Sequence, residues 1–252
     1  KAYCVFCSTL VDRIVTGYPK KNVEALWEEL GYRDDLVDTA EPFGLWVIES
    51  ERDISARLPL DKAGQPVLFT DDQRPYRERK VRILNGAHTS TVPAAFLAGK
   101  NIVREAMQDS LIRTFMERVV FDEIVPTVPL PRNEAETFAK GVFERFENPF
   151  VDHALLSITL NSVSKWKARI FPSFRDSYHA NKKLPPLLTF SFAALLAFYS
   201  SGTSKDGKWM GQRNGEWYQI SDDESVLNFF RDNSEKSAMD LVSLAASRTD
   251  FW

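Results

Sequence analysis

Arg77-Glu78-Arg79-Lys80-Val81-Arg82-Ile83-Leu84-Asn85-Gly86-Ala87-His88-Thr89 is the run on which the reading of this chain turns. Pro75 is well placed to open a helix here, since its missing N–H falls where no intrahelical partner exists. At ~100° and ~1.5 Å per residue, His88 lies ~80° round from Lys80 and Asn85 ~140° round. The three polar side chains then share one broad face over ~12 Å of axis, while Val81 and Leu84 turn toward a core. An amine, an amide and an imidazole converging on one spot suit a carbonyl or a carbinol, which needs a proton donor or acceptor and hydrogen bonds to its oxygen. Taken singly, each residue has a plainer reading. Lys80 sits among Arg74, Arg77, Arg79, Arg82, Asp71, Asp72 and Glu78, the pattern of a solvated helix face. His88 on its own reads as a core histidine, and Asn85-Gly86 as a helix end.

Outward from this run the pattern is mostly helical. Asn22 reads as an N-cap before the stripe Val23, Leu26, Trp27 and Leu30, with Gly31 to end the turn. Residues 45–48 and 67–70 read as strands that pair across a polar stretch, 52–65. Pro93 is expected to kink or end the helix that Pro75 opens. A helix is expected over 110–125, burying Leu111, Ile112, Phe115, Met116, Val119 and Val120, and another over 132–146. The segment after Asn148-Pro149 reads as helical again to Leu160. Lys182-Lys183-Leu184-Pro185-Pro186 leads into a buried apolar helix over 187–199. Asn214-Gly215, between 208–213 and 216–220, is a hairpin turn, and Ser221-x-x-Glu224 reads as a capping box.

Composition limits the function. With 44% hydrophobic and 27% charged residues, the 252-residue chain has the make-up of a folded globular protein. A net charge of −3 argues against a general nucleic-acid binder. The apolar stretch over 187–199 is too short and too interrupted to cross a bilayer, and with no signal peptide in view a cytoplasmic location is the expectation. Cys4-x-x-Cys7 has no second cysteine pair, and His88, His153 and His179 lack metal-ligand spacing, so no metal is expected. None of the 11 glycines falls in a G-x-G arrangement. The chain therefore carries no dinucleotide-binding fingerprint.

The spacing Lys-x4-Asn-x2-His, in the context Pro75, Tyr76, Lys80, Leu84, Asn85, Gly86 and His88, resembles the C-terminal domain of the long-chain mannitol dehydrogenase family of polyol and uronate oxidoreductases. Residues 6–19, with Val11-Asp12-Arg13-Ile14, match as well. So do Asp38-Thr39-Ala40-Glu41 and the pattern Arg145-Phe146-x-Asn148-Pro149. The likeness covers nearly the whole chain and is most specific at 6–19 and 75–93.

This resemblance implies a mainly α fold over residues 1–252, a compact multi-helix domain like the C-terminal domain of 6-phosphogluconate dehydrogenase with small β-hairpin attachments. It implies that NAD is bound mainly by the chain's own N-terminal Rossmann domain, expected before residue 1, and that the partner is a small sugar acid. Lys80 would be the general acid or base, with Asn85 and His88 polarising the substrate oxygen. Lys165 aligns with a substrate-contacting lysine. Ser157 falls where polyol-oxidising relatives carry an arginine, and Arg77 where several carry a glutamate. These departures suit a keto-uronate such as tagaturonate better than a polyol, its carboxylate held by the arginines around Lys80 together with Lys165. Asp12 stands either near the cofactor side of the cleft or in a helix-capping or ion-pair role with Arg13.

Overall fold

The computed structural model describes residues 4–20 and 22–252. Strands β1 (Ser8–Asp12) and β2 (Val15–Gly17) lead to helix α1 (Val23–Leu30). Gly31 ends α1 at φ 76°, with its N–H bonded to the Trp27 carbonyl. A Cβ there would be strained, so glycine fits the left-handed stop. Asn22 holds the N-cap position, although its side chain accepts no capping bond. Strand β3 (Thr39–Ala40) pairs with β2, and β4 (Leu45–Glu49) pairs antiparallel with β1. The expected pairing of 45–48 with 67–70 is present between β4 and β5 (Val67–Thr70), but it is parallel. A parallel pair cannot be joined by a tight turn, so the segment between them is a crossover and this attachment is a mixed sheet rather than a hairpin. As the central strand, β4 buries Val47 and Ile48.

The helical part begins with α2 (Arg74–Arg79), which has Pro75 in its first turn. It continues through a π-helical segment, Lys80–Asn85, into α3 (Gly86–Leu97). Pro93 lies inside α3 without ending it. Ten of the twelve α3 residues are buried, including every residue from Gly86 to Pro93, which makes α3 the spine of the core. Next come α4 (Val103–Gln108) and α5 (Ser110–Arg118), the latter capped by Asp109, whose Oδ1 accepts from the Leu111 and Ile112 amides.

The single helix expected over 110–125 is in fact three pieces: α5, a second π segment at Val119–Ile124, and a 3-10 turn at Val125–Thr127. Leu111 is 76% exposed, against expectation, whereas Ile112, Met116, Val119 and Val120 are buried. Leu111 sits ~100° from Ile112, off the stripe the other residues define.

Helix α6 (Arg132–Phe146) has the expected bounds. After it, only α7 (Leu155–Ile158) is helical where the whole stretch to Leu160 was expected to be. Helices α8 (Ser162–Arg169), α9 (Phe171–Asn181) and α10 (Pro186–Ser200) follow. The apolar α10 packs along α3. Its first free amides are met by a buried carboxylate: Glu123, in the second π segment, accepts from Leu187 N at 2.9 Å and Leu188 N at 2.7 Å. This answers the usual deficit of acceptors at a helix start.

The chain ends with β6 (Thr203–Lys205), β7 (Lys208–Arg213), β8 (Glu216–Gln219), α11 (Glu224–Asp232) and α12 (Ala238–Ala246). Asn214 and Gly215 both take positive φ, 52° and 85°, as a type I′ hairpin turn demands. The Ser221 capping box does not form. Instead Asp222 accepts from the Val163 amide and from the Tyr199 hydroxyl, tying α8, α10 and the start of α11 together. The described chain is thus mainly α with small sheets. No helix among the described residues is long and apolar enough to cross a membrane.

Candidate active site

Lys80 and Asn85 bracket the first π segment. Closing the turn i→i+5 instead of i→i+4 sets the fifth residue on, rather than the fourth, above the first. The wider turn brings Asn85 angularly closer to Lys80 than the ~140° of an α-helix. His88 follows one turn later in α3. All three line a cleft of about 240 Å³. The other walls are Asp12, Arg13, Ile14 and Val15 from the β1–β2 link, His153, Ser157 and Ile158 around α7, and Lys165 and Arg169 from α8.

The Lys80 ammonium donates to the Val11 carbonyl. Burial pushes the Lys80 pKa below its ordinary value. Asp12 opposes that shift, while Arg145 and Arg169 add to it. His88 is buried, with its ring stacked on Phe146 at 4.1 Å and edge-on to His153 at 5.4 Å. Burial holds its pKa well below the usual imidazole range, aided by His153, Arg169, Arg145 and Lys165. His88 is therefore neutral near pH 7. Its Nε2 has no hydrogen-bond partner among the described residues, so a backbone carbonyl does not satisfy it.

Lys165 donates to the Ile158 carbonyl at 2.9 Å, and its pKa is lowered by burial and then by Arg169. The Ser157 hydroxyl turns back to the Ala154 carbonyl at 2.7 Å at the rim. Asp12 does not pair with Arg13. Arg13 donates to the Phe43 and Pro42 carbonyls, and Asp12 is buried against Arg145, which also takes Glu41. Both carboxylates being spoken for, Asp12 is poorly placed to receive a cofactor hydroxyl.

Arg77 is a correction to the expected substrate contacts. It is exposed and lines a different hollow, with Arg74, Glu78 and Arg82. The neighbouring arginines are engaged elsewhere: Arg74 with Asp72, Arg82 with Glu78 and Asp176, and Arg79 over the rings of Tyr76 and Phe138. Sequence reading missed Arg169 and His153 in the cleft. The i, i+4 step from Lys165 to Arg169 is the signal that would have found the former. A larger groove, about 590 Å³, is lined by Glu41 and Arg145 together with Phe43, Phe138 and Phe150 and holds none of the three central residues. Cys4 and Cys7 are free and exposed, and no group of three metal-ligating side chains occurs among the described residues.

A two-part chain whose cleft joins Lys80, Asn85 and His88 from a helical body to Asp12–Val15 from a strand region matches known families closely. The chain belongs to the mannitol dehydrogenase family: the model of the mannitol dehydrogenase C-terminal domain matches residues 72–240, and that of the mannitol dehydrogenase Rossmann domain matches residues 1–62. The sequence reading drew no boundary between these parts. Among curated relatives, it is 47% identical to altronate oxidoreductase of Shigella flexneri and 46% identical to that of Enterobacter sp. (strain 638), in each case over 98% of this chain. The chain spans about half the length of these relatives, 50% in both cases. Among solved structures, Pseudomonas fluorescens mannitol 2-dehydrogenase, in a ternary complex with NAD and D-mannitol, superposes with a TM-score of 0.77 at 24% identity, covering 98% of this chain and 47% of that one. A substrate-free D-sorbitol dehydrogenase gives 0.73 at 24% identity, covering 98% and 50%. These two likenesses establish the fold.

Proposed function

We propose that this chain forms the substrate side of an NAD-dependent hexuronate oxidoreductase that interconverts tagaturonate and altronate, with Lys80 as general acid and base. The observation that carries the reading is the shared cleft of Lys80, Asn85 and His88, in which the amine is partly desolvated. The altronate oxidoreductase relatives support the substrate, and the free cations of the cleft suit an acid better than a neutral polyol. The helical part is proposed to follow the arrangement of the C-terminal domain of 6-phosphogluconate dehydrogenase.

The described residues hold no glycine-rich phosphate turn, and Asp12 is taken up by Arg145. They are therefore assigned the substrate rather than the cofactor, with NAD held mainly by the Rossmann part of the whole protein. NAD, when bound, accepts or supplies the hydride. In reduction the ketone C=O π bond opens as carbon gains hydride, and the Lys80 ammonium gives its proton to the oxygen, leaving a neutral amine and a new C–OH. In oxidation the neutral amine takes that proton back. The Asn85 amide, and neutral His88 with its hydrogen on Nε2, donate to the oxygen as negative charge builds, where such bonds strengthen most in the transition state. No metal is needed for this proton transfer.

The test is the full-length protein with tagaturonate and NADH, followed by loss of NADH absorbance. A preference for fructuronate, mannitol or mannitol 1-phosphate would move the assignment to a sibling specificity. Absence of turnover on all of them would favour a non-catalytic helical interaction module, which a convex rather than concave setting of Lys80, Asn85 and His88 would have suited better.

A further inference from the structure

Two cations of the cleft have no counter-ion among the described residues. Lys165 and Arg169 stand four residues apart on α8, both partly buried. Neither has a carboxylate within ion-pair distance among the described residues. Like charges at this spacing repel along a helix, and burial penalises each further. Elsewhere the fold pairs two of its buried guanidinium groups with carboxylates: Arg82 meets Glu78 and Asp176, and Arg145 meets Asp12 and Glu41. Among the described residues, the sole carboxylate lining the cleft is Asp12, already engaged by Arg145. Asp222, which acts on Lys165 from farther off, accepts from Tyr199 and Val163 instead.

The donor inventory is equally lopsided. A guanidinium carries five N–H donors in a planar fork. Arg169 directs one nitrogen to the Thr89 hydroxyl at 3.2 Å. Lys165 uses its ammonium on a single carbonyl, that of Ile158. Thr89 belongs to the fully buried stretch of α3, which pins the guanidinium in place. An anchored fork with unused donors beside an ammonium is a seat for a planar anion, and a carboxylate matches it in charge and shape.

Resting on the reading above, we propose that Arg169, with Lys165, binds the carboxylate of the sugar acid and that Arg169 sets the preference for acids over neutral sugars. The arginines of the 74–82 run do not serve this purpose, because none of them lines the cleft. Arg169 is here a specificity residue that touches the substrate away from the reacting carbon. Its loss therefore changes discrimination between substrates more than proton transfer.

The experiment uses the full-length protein and compares kcat/KM for tagaturonate with that for tagatose, the same ketose skeleton without the acid. Arg169→Met is expected to lower the acid-over-neutral ratio by roughly 30-fold or more, the scale of removing one partner of a hydrogen-bonded charge pair. Arg169→Lys should recover part of it, and Lys165→Met should lower the ratio in the same direction. An unchanged ratio in both Met variants, or equal losses on the two substrates, would overturn the proposal. If Arg169→Met does not fold, as judged by its thermal unfolding, the ratio for Lys165→Met and Arg169→Lys decides. A separate calorimetric titration with altronate and with altritol keeps this inference apart from the enzymatic reading. Acid-selective binding that depends on Arg169, in a protein without turnover, would sink the reductase assignment and leave the anion seat standing.

Discussion

The Arg145 Nη2 nitrogen lies 2.8 Å from Asp12 Oδ1, joining the last helical turn of α6 to the end of β1. The same nitrogen is 2.7 Å from Glu41 Oε1, and the Arg145 side chain is only 9% exposed. Glu41 in turn accepts from the Ile14 amide at 2.6 Å. One guanidinium thus fixes residues 12–14, and the neighbouring Val11 carbonyl receives the Lys80 ammonium. Arg145→Met would leave two buried carboxylates without their cation. A loss of about 3–5 kcal/mol in denaturant unfolding is expected, the scale of breaking a buried pair from one side. A loss below ~1 kcal/mol would mean the triad contributes little to holding this link.

Replacing Lys80 tests the chemistry directly. Lys80→Ala in the full-length enzyme is expected to reduce kcat by at least ~10²-fold, the ordinary scale of general acid–base catalysis. On the proposed mechanism altronate oxidation requires the neutral amine, so its rate should rise with pH and level off through a pKa below 10.5, since burial lowers that of Lys80. The residual activity of Lys80→Ala should lack that limb. Near wild-type turnover in the variant would remove Lys80 from the role.

His88 makes stability depend on acid. Its folded pKa lies well below the unfolded value of 6.5. Below pH 6.5 the unfolded chain takes up a proton that the folded chain refuses, so stability falls as pH drops, by up to ~1.4 kcal/mol per pH unit. His153, also shifted downward by burial, adds to the slope. Urea unfolding at pH 7.5 and 5.5 should show a smaller acid loss in His88→Asn than in wild type. Equal losses in the two proteins would contradict a buried neutral imidazole.

Glu123 gives a test remote from the cleft. Its carboxylate receives the Leu187 and Leu188 amides at the start of α10. Glu123→Ala is expected to cost about 2 kcal/mol, combining a lost cap with buried donors left unpaired. Glu123→Gln, which keeps one acceptor oxygen, should recover part of it. Thermal unfolding of the two variants distinguishes capping from simple space filling.

Local chemistry was the legible part of this fold. The apolar run of α10, the amphipathic period of α6 and the Asn214-Gly215 turn each state their structure within a short window, and all three formed with nearly the expected bounds. The two π segments were illegible, because an i→i+5 register is not written in apolar period 3.6 but settled by what packs around it. The Ser221 box lost to tertiary demand: Asp222 is needed by Tyr199 and Val163 across the bundle. In the site, Lys80, Asn85 and His88 were found through their mutual spacing. Arg77, singled out because several relatives carry a glutamate at its position, lines a different hollow from Lys80. His153 has no motif around it, and only the fold brings it beside His88.

The β1–β2 link has a practical consequence for domain exchange. Residues 11–15 fall in the part matched by the Rossmann-domain model, yet they supply the acceptor of the Lys80 ammonium and one wall of the cleft. A chimera that joins two relatives between residues 62 and 72, with the intention of swapping only nucleotide preference, would import a foreign wall into the Lys80 cleft. Compatible hybrids would need Asp12, Glu41 and Arg145 to travel as a matched set.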